Sequence, residues 1–299
     1  MPSVNRILFR FGIALLSLYL LISLFGTYFI ADQTPNANRQ IPEWANLPPF
    51  ATRVGFADAG QSKIIYADHK IGTQPYDITF WIGTDVLGRD LMSRLIVAGR
   101  TSLLVGIASV GMGLLIGIFF GMISGYFGGT VDILIQGVMT LTWSLPSVLL
   151  ALILSFVLGK GLLQLCIAIA LTLWVDMARI VRSQTMALRQ KEFVAAGKAI
   201  GLTTFPILLT YILPNLWGII LILACANFAT AILLEAGLSF LGMGINPPTP
   251  SWGSMMNEGY QYLILEQGKR MAIYPALVLV VLIFSVNIVS SGLKGAVKG

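Results

Sequence analysis

The sequence predicts an all-α, polytopic membrane protein with about six transmembrane helices. Three observations carry this. Of 299 residues, 56% are hydrophobic and 11% charged, and the mean hydropathy is +0.83, a balance that suits lipid as the main solvent. About six apolar runs reach the roughly 20 residues that a helix needs to cross a bilayer. The basic residues behind the net charge of +6 sit at the ends of these runs, with no dense tract. Topology explains that placement and nucleic-acid binding does not.

The first run, residues 8–30, follows Arg6 and Arg10. It is too long for a signal peptide, and Ala31-Asp32-Gln33 is a weak cleavage context, so residues 1–31 are expected to be a retained anchor. An even number of spans, with Lys294 and Lys298 at the far end, puts both termini in the cytoplasm. Residues 32–95 then form an external loop and interfacial segment, and residues 31–79 carry no recognisable motif. Arg89, Arg94 and Arg100 weigh little for orientation because long translocated loops escape the charge rule.

The later spans are expected at 102–125, 131–158, 162–181, 216–236 and 272–292. Gly113, Gly117, Gly121 and Gly125 recur every fourth residue and lay a smooth stripe for close helix packing. Pro146 and Pro275 are expected to kink the third and sixth spans. Cys166 and Cys225 lie in apolar runs and read as small buried hydrophobes without disulfide or metal spacing. His69 is the only histidine, so a histidine-based catalytic or metal site has nothing to build on. There is no Walker-type glycine loop, and nucleotide hydrolysis would have to come from a separate protein.

Between the fourth and fifth spans, Arg179, Arg182, Arg189, Lys191 and Lys198 face only Asp176 and Glu192. Short basic connections stay in the cytoplasm, so a cytoplasmic protein is the expected reader of this loop. Glu192 to Ile200 predicts a short helix with an unusually small face, Ala195, Ala196 and Ala199, able to sit deep in a partner's groove. Gly201 is a natural left-handed stop. Thr203 or Thr204 would cap a second helix with Pro206 in its first turn, and Leu213-Pro214-Asn215 would break it before the fifth span. The expected result is helix, turn, helix along the cytoplasmic surface.

This loop resembles that of permease subunits in bacterial ATP-binding-cassette (ABC) importers, whose signature reads E-A-A, three residues, G, nine residues, I, one residue, L-P. The matching positions are Ala195, Ala196, Gly197, then Gly201, then Tyr211 and Leu213-Pro214. Ala195 stands where the family has Glu, Gly197 where it has Ala and Tyr211 where it has Ile, while Glu192 lies three residues earlier on the same face. Two further blocks resemble the second permease subunit of dipeptide, oligopeptide and nickel importers. One is Ile82-Gly83-Thr84-Asp85-Val86-Leu87-Gly88-Arg89-Asp90-Leu91-Met92-Ser93-Arg94, running on to Arg100 and Ser102-Leu103-Leu104. The other is Glu235-Ala236-Gly237-Leu238-Ser239-Phe240-Leu241-Gly242-Met243-Gly244, continuing through Pro247 to Gly253 and on to Glu258-Gly259.

The resemblance implies a type I ABC importer (MetI-like) core of five helices over 96–295, with a coupling loop at 182–215. It implies an ATPase-coupling set of Glu192, Ala195, Ala196, Gly197, Gly201, Leu213 and Pro214, and a periplasmic mouth near Asp85, Arg89, Asp90 and Glu235. Implied partners are a second, homologous permease, two cytoplasmic ATPase subunits holding ATP and Mg, an extracytoplasmic solute-binding protein and the lipid of the bacterial inner membrane. The chain itself would bind no cofactor and catalyse nothing. Its departures are an uncharged Gln136–Thr142 stretch after Gly128-Gly129-Thr130-Val131-Asp132, and a C-terminal pattern reduced to Phe284, Asn287 and Ser290-Ser291-Gly292-Leu293-Lys294.

Plainer readings stand beside these. Asp85, Arg89, Asp90 and Arg94 at helical spacing suit a surface ion-pair ladder at the outer interface. Glu235 suits a helix end at the headgroups, and Asp176 suits local pairs with Arg179 and Arg182. The alternative function is a secondary transporter using Asp176 or Glu235 as an ion-coupled carboxylate.

Overall fold

The computed structural model describes residues 2–297 except 33, 35, 59–64 and 67–72. The expectations on His69 and Lys298, and on the Arg6 side chain, lie outside the described residues.

Helix α1 (Pro2–Phe25) holds the first apolar span and leaves the membrane through a 3-10 turn, Gly26–Tyr28. The segment that follows α1 adds a small sheet to the helical fold. Strands β1 (Ala51–Asp58), β2 (Ile65–Tyr66) and β3 (Thr73–Phe80) form an antiparallel sheet in the order β2-β1-β3, with Ala51 opposite Phe80. Ile78 and Phe80 bury against Ile41, Trp44 and Leu47, a small core of its own. Thr84 ties this core to the membrane helices, its hydroxyl donating to the Trp44 carbonyl at 2.5 Å and accepting from the Leu47 amide at 2.8 Å.

Helix α2 (Leu91–Phe127) runs 37 residues, roughly 55 Å at 1.5 Å per residue, and so exceeds the bilayer core. Asp90 caps it, accepting from the Met92 and Ser93 amides. Helices α3 (Gly129–Trp143) and α4 (Ser147–Leu158) replace the single kinked span expected at 131–158, and they meet at 91°. Pro146 accounts for the corner: it lacks an N–H and drives the preceding residue out of helical geometry. Helix α5 (Leu162–Arg189) extends beyond the expected span, so residues 182–189 of the expected loop are helix.

The stripe glycines of α2, Gly113, Gly117, Gly121 and Gly125, are all buried, and they face α5. A Cβ on Gly117 would stand 2.8 Å from the Met177 Cβ, and one on Gly125 2.5 Å from the Arg182 carbonyl oxygen. Two backbones meet along a line on which side chains have no room.

After α6 (Glu192–Ala199), the chain enters α7 (Thr204–Pro206), a π-helical turn Ile207–Ile212 and α8 (Leu213–Phe240) without interruption. The break expected at Pro214 is absent, because the wider π turn accommodates the proline's missing donor. The second loop helix is therefore the foot of the span Thr204–Phe240, not a separate surface helix. Thr203 occupies the cap position but makes no side-chain cap bond. Helix α9 (Trp252–Gln261) opens with a Ser251/Ser254 capping box, and α10 (Glu266–Val297) continues through Pro275 unbroken. Trp252 joins α9 to α1 and α2: fully buried, it meets the Tyr19 ring edge-on at 5.5 Å and donates to the Leu95 carbonyl at 3.2 Å.

Candidate functional site

Three regions carry polar or exposed groups that the membrane core alone does not require. The first is the end that carries α6. Val194 and Gly197 turn α6 toward the protein, where Val194 joins Met122, Tyr126, Val181, Ile207 and Ile212 in one buried cluster. Glu192, Ala195, Ala196, Ala199 and Ile200 remain exposed, Ile200 to 74%. Gly201 stops the helix at φ +84°, its amide bonded to the Lys198 carbonyl at 3.0 Å, while Leu202 bonds back to Gly197 at 3.1 Å. These two bonds form a Schellman stop, which satisfies the last carbonyls and fixes the exit direction of the chain. The Lys198 ammonium lies 5.4 Å from the Tyr126 ring centre and the Arg189 guanidinium 5.8 Å from it, so both flanks of the loop lean on the end of α2. Leu213 is half-buried and Pro214 exposed within the continuous helix. The sequence-predicted coupling residues thus share one end of the molecule but not one surface, since Gly197 is buried and Ala195 and Ala196 are exposed.

The second region lies at the start of α2, the other end of that helix from α6. Asp85 and Arg94 are 0% and 2% exposed, so the surface ladder expected at 85–94 is instead a buried network, with Asp85, Arg89 and Asp90 in the loop before α2. Arg94 meets Asp85 at 3.1 Å and Glu258 at 2.8 and 2.9 Å, and Arg89 bridges Asp85 and Glu258 and donates to Asn38 at 3.0 Å. Glu258 on α9 was not singled out as a partner from the sequence, although it falls in the second resembling block. No short-range spacing signals a pair 164 residues apart. Burial pushes the Glu258 carboxyl up, but Arg94 and Arg89 outweigh it and hold it below its ordinary range. Burial pushes Asp90 up, against the bonds from Ser93 and Met92.

Glu235 lies near the C-terminal end of its helix. It is fully buried in α8, accepting at 2.8 Å from each of the Ser102 and Ser239 hydroxyls. It therefore pins α8 to α2 rather than opening onto a mouth.

The third region lies between α3 and the C-terminal half of α5. The Arg182 Nε and a terminal nitrogen each meet Asp132 at 2.6 Å, and Asp132 also accepts from Ser124 and, at 3.0 Å, from Gln136. Arg179 stacks on Trp143 at 4.3 Å. Asp176 is exposed and has no ion pair among the described residues, so the expected local pairing is corrected: Arg182 binds Asp132. Among the described residues no group of three or more His, Cys, Asp or Glu could hold a metal.

Long apolar helices and a broken span define a polytopic membrane protein. The chain belongs to the binding-protein-dependent transport system inner membrane component family, which matches residues 117–298. It is 36% identical over 247 residues to the oligopeptide transport system permease protein OppC of Bacillus subtilis, covering 83% of this chain and 79% of that one. It is 36% identical over 222 residues to the dipeptide transport system permease protein DppC of the same organism, covering 74% and 69%. In fold it is similar to a chain of the MetNI methionine ABC transporter in inward-facing conformations, with TM-score 0.53 and 18% identity over 69% of this chain and 96% of that one. Nothing in these relationships supports a secondary transporter.

Proposed function

We propose that this chain is a non-catalytic half of the pore of a peptide-class importer, driven by ATP and Mg held on separate ATPase subunits. The observation that carries the coupling role is α6: seated through Val194 and Gly197, it turns an alanine face outward and ends in a fixed left-handed stop. Small exposed side chains admit a partner's groove to close range, and the rigid seat passes the partner's movement into α2, α5 and α8 as a body. Glu192 supplies the acidic contact that Ala195 lacks. The relatives' names supply the peptide class. A second, homologous permease completes the pore and an external binding protein delivers the solute. Both termini and α6 lie in the cytoplasm, in keeping with the basic residues around them.

The test is ATP-dependent uptake of a short peptide by the complex purified with its partners and reconstituted in liposomes. Gly201→Val is expected to abolish coupling while leaving insertion intact, since its strain, about 1–2 kcal/mol, comes from φ +84° alone and a Cβ there meets no atom within 4 Å. Ala196→Trp is expected to reduce ATPase co-purification. Normal uptake and solute-stimulated ATPase activity in both variants would remove α6 from the mechanism.

A further inference from the structure

We propose that the seam between α3 and α5 receives the carboxylate of the passing solute, with Arg179 as its cation; this rests on the importer reading above. Asp132, Gln136 and Thr140 recur every fourth residue and form a polar stripe on α3, whereas Ile133, Leu134, Val138 and Leu141 around it are apolar and exposed. A polar stripe on a membrane helix belongs against protein or water, since lipid would leave its groups unsatisfied. Facing it on α5 is a cavity of about 260 Å³ lined by Gln136, Met139, Thr140, Arg179 and Arg182.

The two arginines are not equivalent. Arg182 spends its fork on Asp132, and Asp132 is further saturated by Ser124 and Gln136. Arg179 has no acidic partner among the described residues; the Trp143 ring, 4.3 Å from the guanidinium carbon, supports one face of its plane and leaves the N–H edge available. Asp176, three residues earlier and exposed, does not line the cavity. An uncompensated guanidinium lining a cavity favours an anion, and its planar fork matches a carboxylate with two parallel bonds. The Thr140 hydroxyl adds a donor on the opposite wall. Arg179 is thereby a specificity residue for solutes ending in a free carboxylate.

The experiment has two arms on the reconstituted complex in phosphatidylcholine vesicles. In a C166A/C225A background, Thr140→Cys is reacted with sulfonatoethyl and with trimethylammonioethyl methanethiosulfonate. The anionic reagent is expected to react several-fold faster, and adding Arg179→Gln should abolish that preference. Equal rates, or a thiol unreactive to both because a neighbouring subunit seals the seam, would overturn the site. In the second arm, Arg179→Gln should cut ATP-driven uptake of trialanine by about tenfold or more while sparing trialanine amide, and Arg179→Lys should restore part of it. An equal loss for acid and amide would make Arg179 structural and overturn the assignment. A wild-type complex that takes up neither peptide would overturn the peptide reading and this assignment with it, whereas charge-selective labelling without acid–amide discrimination would sink only the solute's part.

Discussion

At Glu258 one carboxylate meets two arginines, and its charge holds α9 against the start of α2. Removing one member of such a network leaves the others buried without compensation. Because Glu258 is one-third exposed, solvent softens the loss, and Glu258→Gln is expected to destabilise by about 1–3 kcal/mol at neutral pH. Its carboxyl titrates below the ordinary 4.5, so the charge stabilises the fold above that value, and the contribution disappears as pH falls through the lowered folded pKa. The thermal midpoints of wild type and Glu258→Gln, measured on the purified complex, should differ at pH 7 and converge below pH 4.5. Asp90 is common to both proteins and cancels in the comparison. A gap that stays constant with pH would show that packing, and not charge, holds α9. None of this network was legible as a network: Asp85, Arg89 and Arg94 stood out by their spacing, but their burial and their distant partner arise only when α9 folds back.

Among the elements, α2 and α5 form the closest pair, and the glycine stripe was legible because a period of four on a helix defines one face. Which helix occupies that face was not. The stripe also tightens toward the C-terminal end of α2. A Cβ on Gly113 would rest 3.4 Å from the Ala170 carbonyl oxygen, an ordinary contact, whereas on Gly125 it would stand 2.5 Å from that of Arg182. Gly113→Ala is therefore expected to be nearly neutral, and Gly125→Ala to cost about 1–3 kcal/mol by overpacking. Detergent-melting curves of the two variants check this, and equal midpoints would show that α2 and α5 slide apart at no cost. Gly125→Ala would also disturb Arg182, whose backbone it meets, and so the ion pair with Asp132.

On the scale of the whole molecule, the topology is the quantity most open to direct test. The proposed orientation, with the amino terminus inside, puts the turn between α9 and α10 outside and α6 inside. Ile264 in that turn is 97% exposed and Lys198 on α6 is exposed. Ile264→Cys should react with an impermeant thiol reagent added to intact cells, and Lys198→Cys only after the membrane is opened. The reverse pattern would invert the molecule and detach α6 from any cytoplasmic partner. Exposure of α3 and α4 is equally telling at this scale. Val131, Leu134, Leu141, Val148 and Phe156 form an exposed apolar face, which suits lipid and not water.

Composition and run length determined by themselves that the chain crosses a membrane several times, because lipid tolerates only long apolar helices that satisfy their own backbones. The left-handed stop at Gly201 was equally local, as was the corner beside Pro146, although its angle was not. Tertiary structure alone decided that Pro214 sits in a continuous helix, where a π turn absorbs it, and that the external segment pairs as a sheet. It alone decided that Glu235 is sealed among serines, that Arg182 leaves Asp176 for Asp132, and that Arg179 has no acidic partner among the described residues. The physical reason is common to all of them. Local spacing fixes backbone conformation and which residues share a face, but the partner of a charge is set by helices that meet from far along the chain.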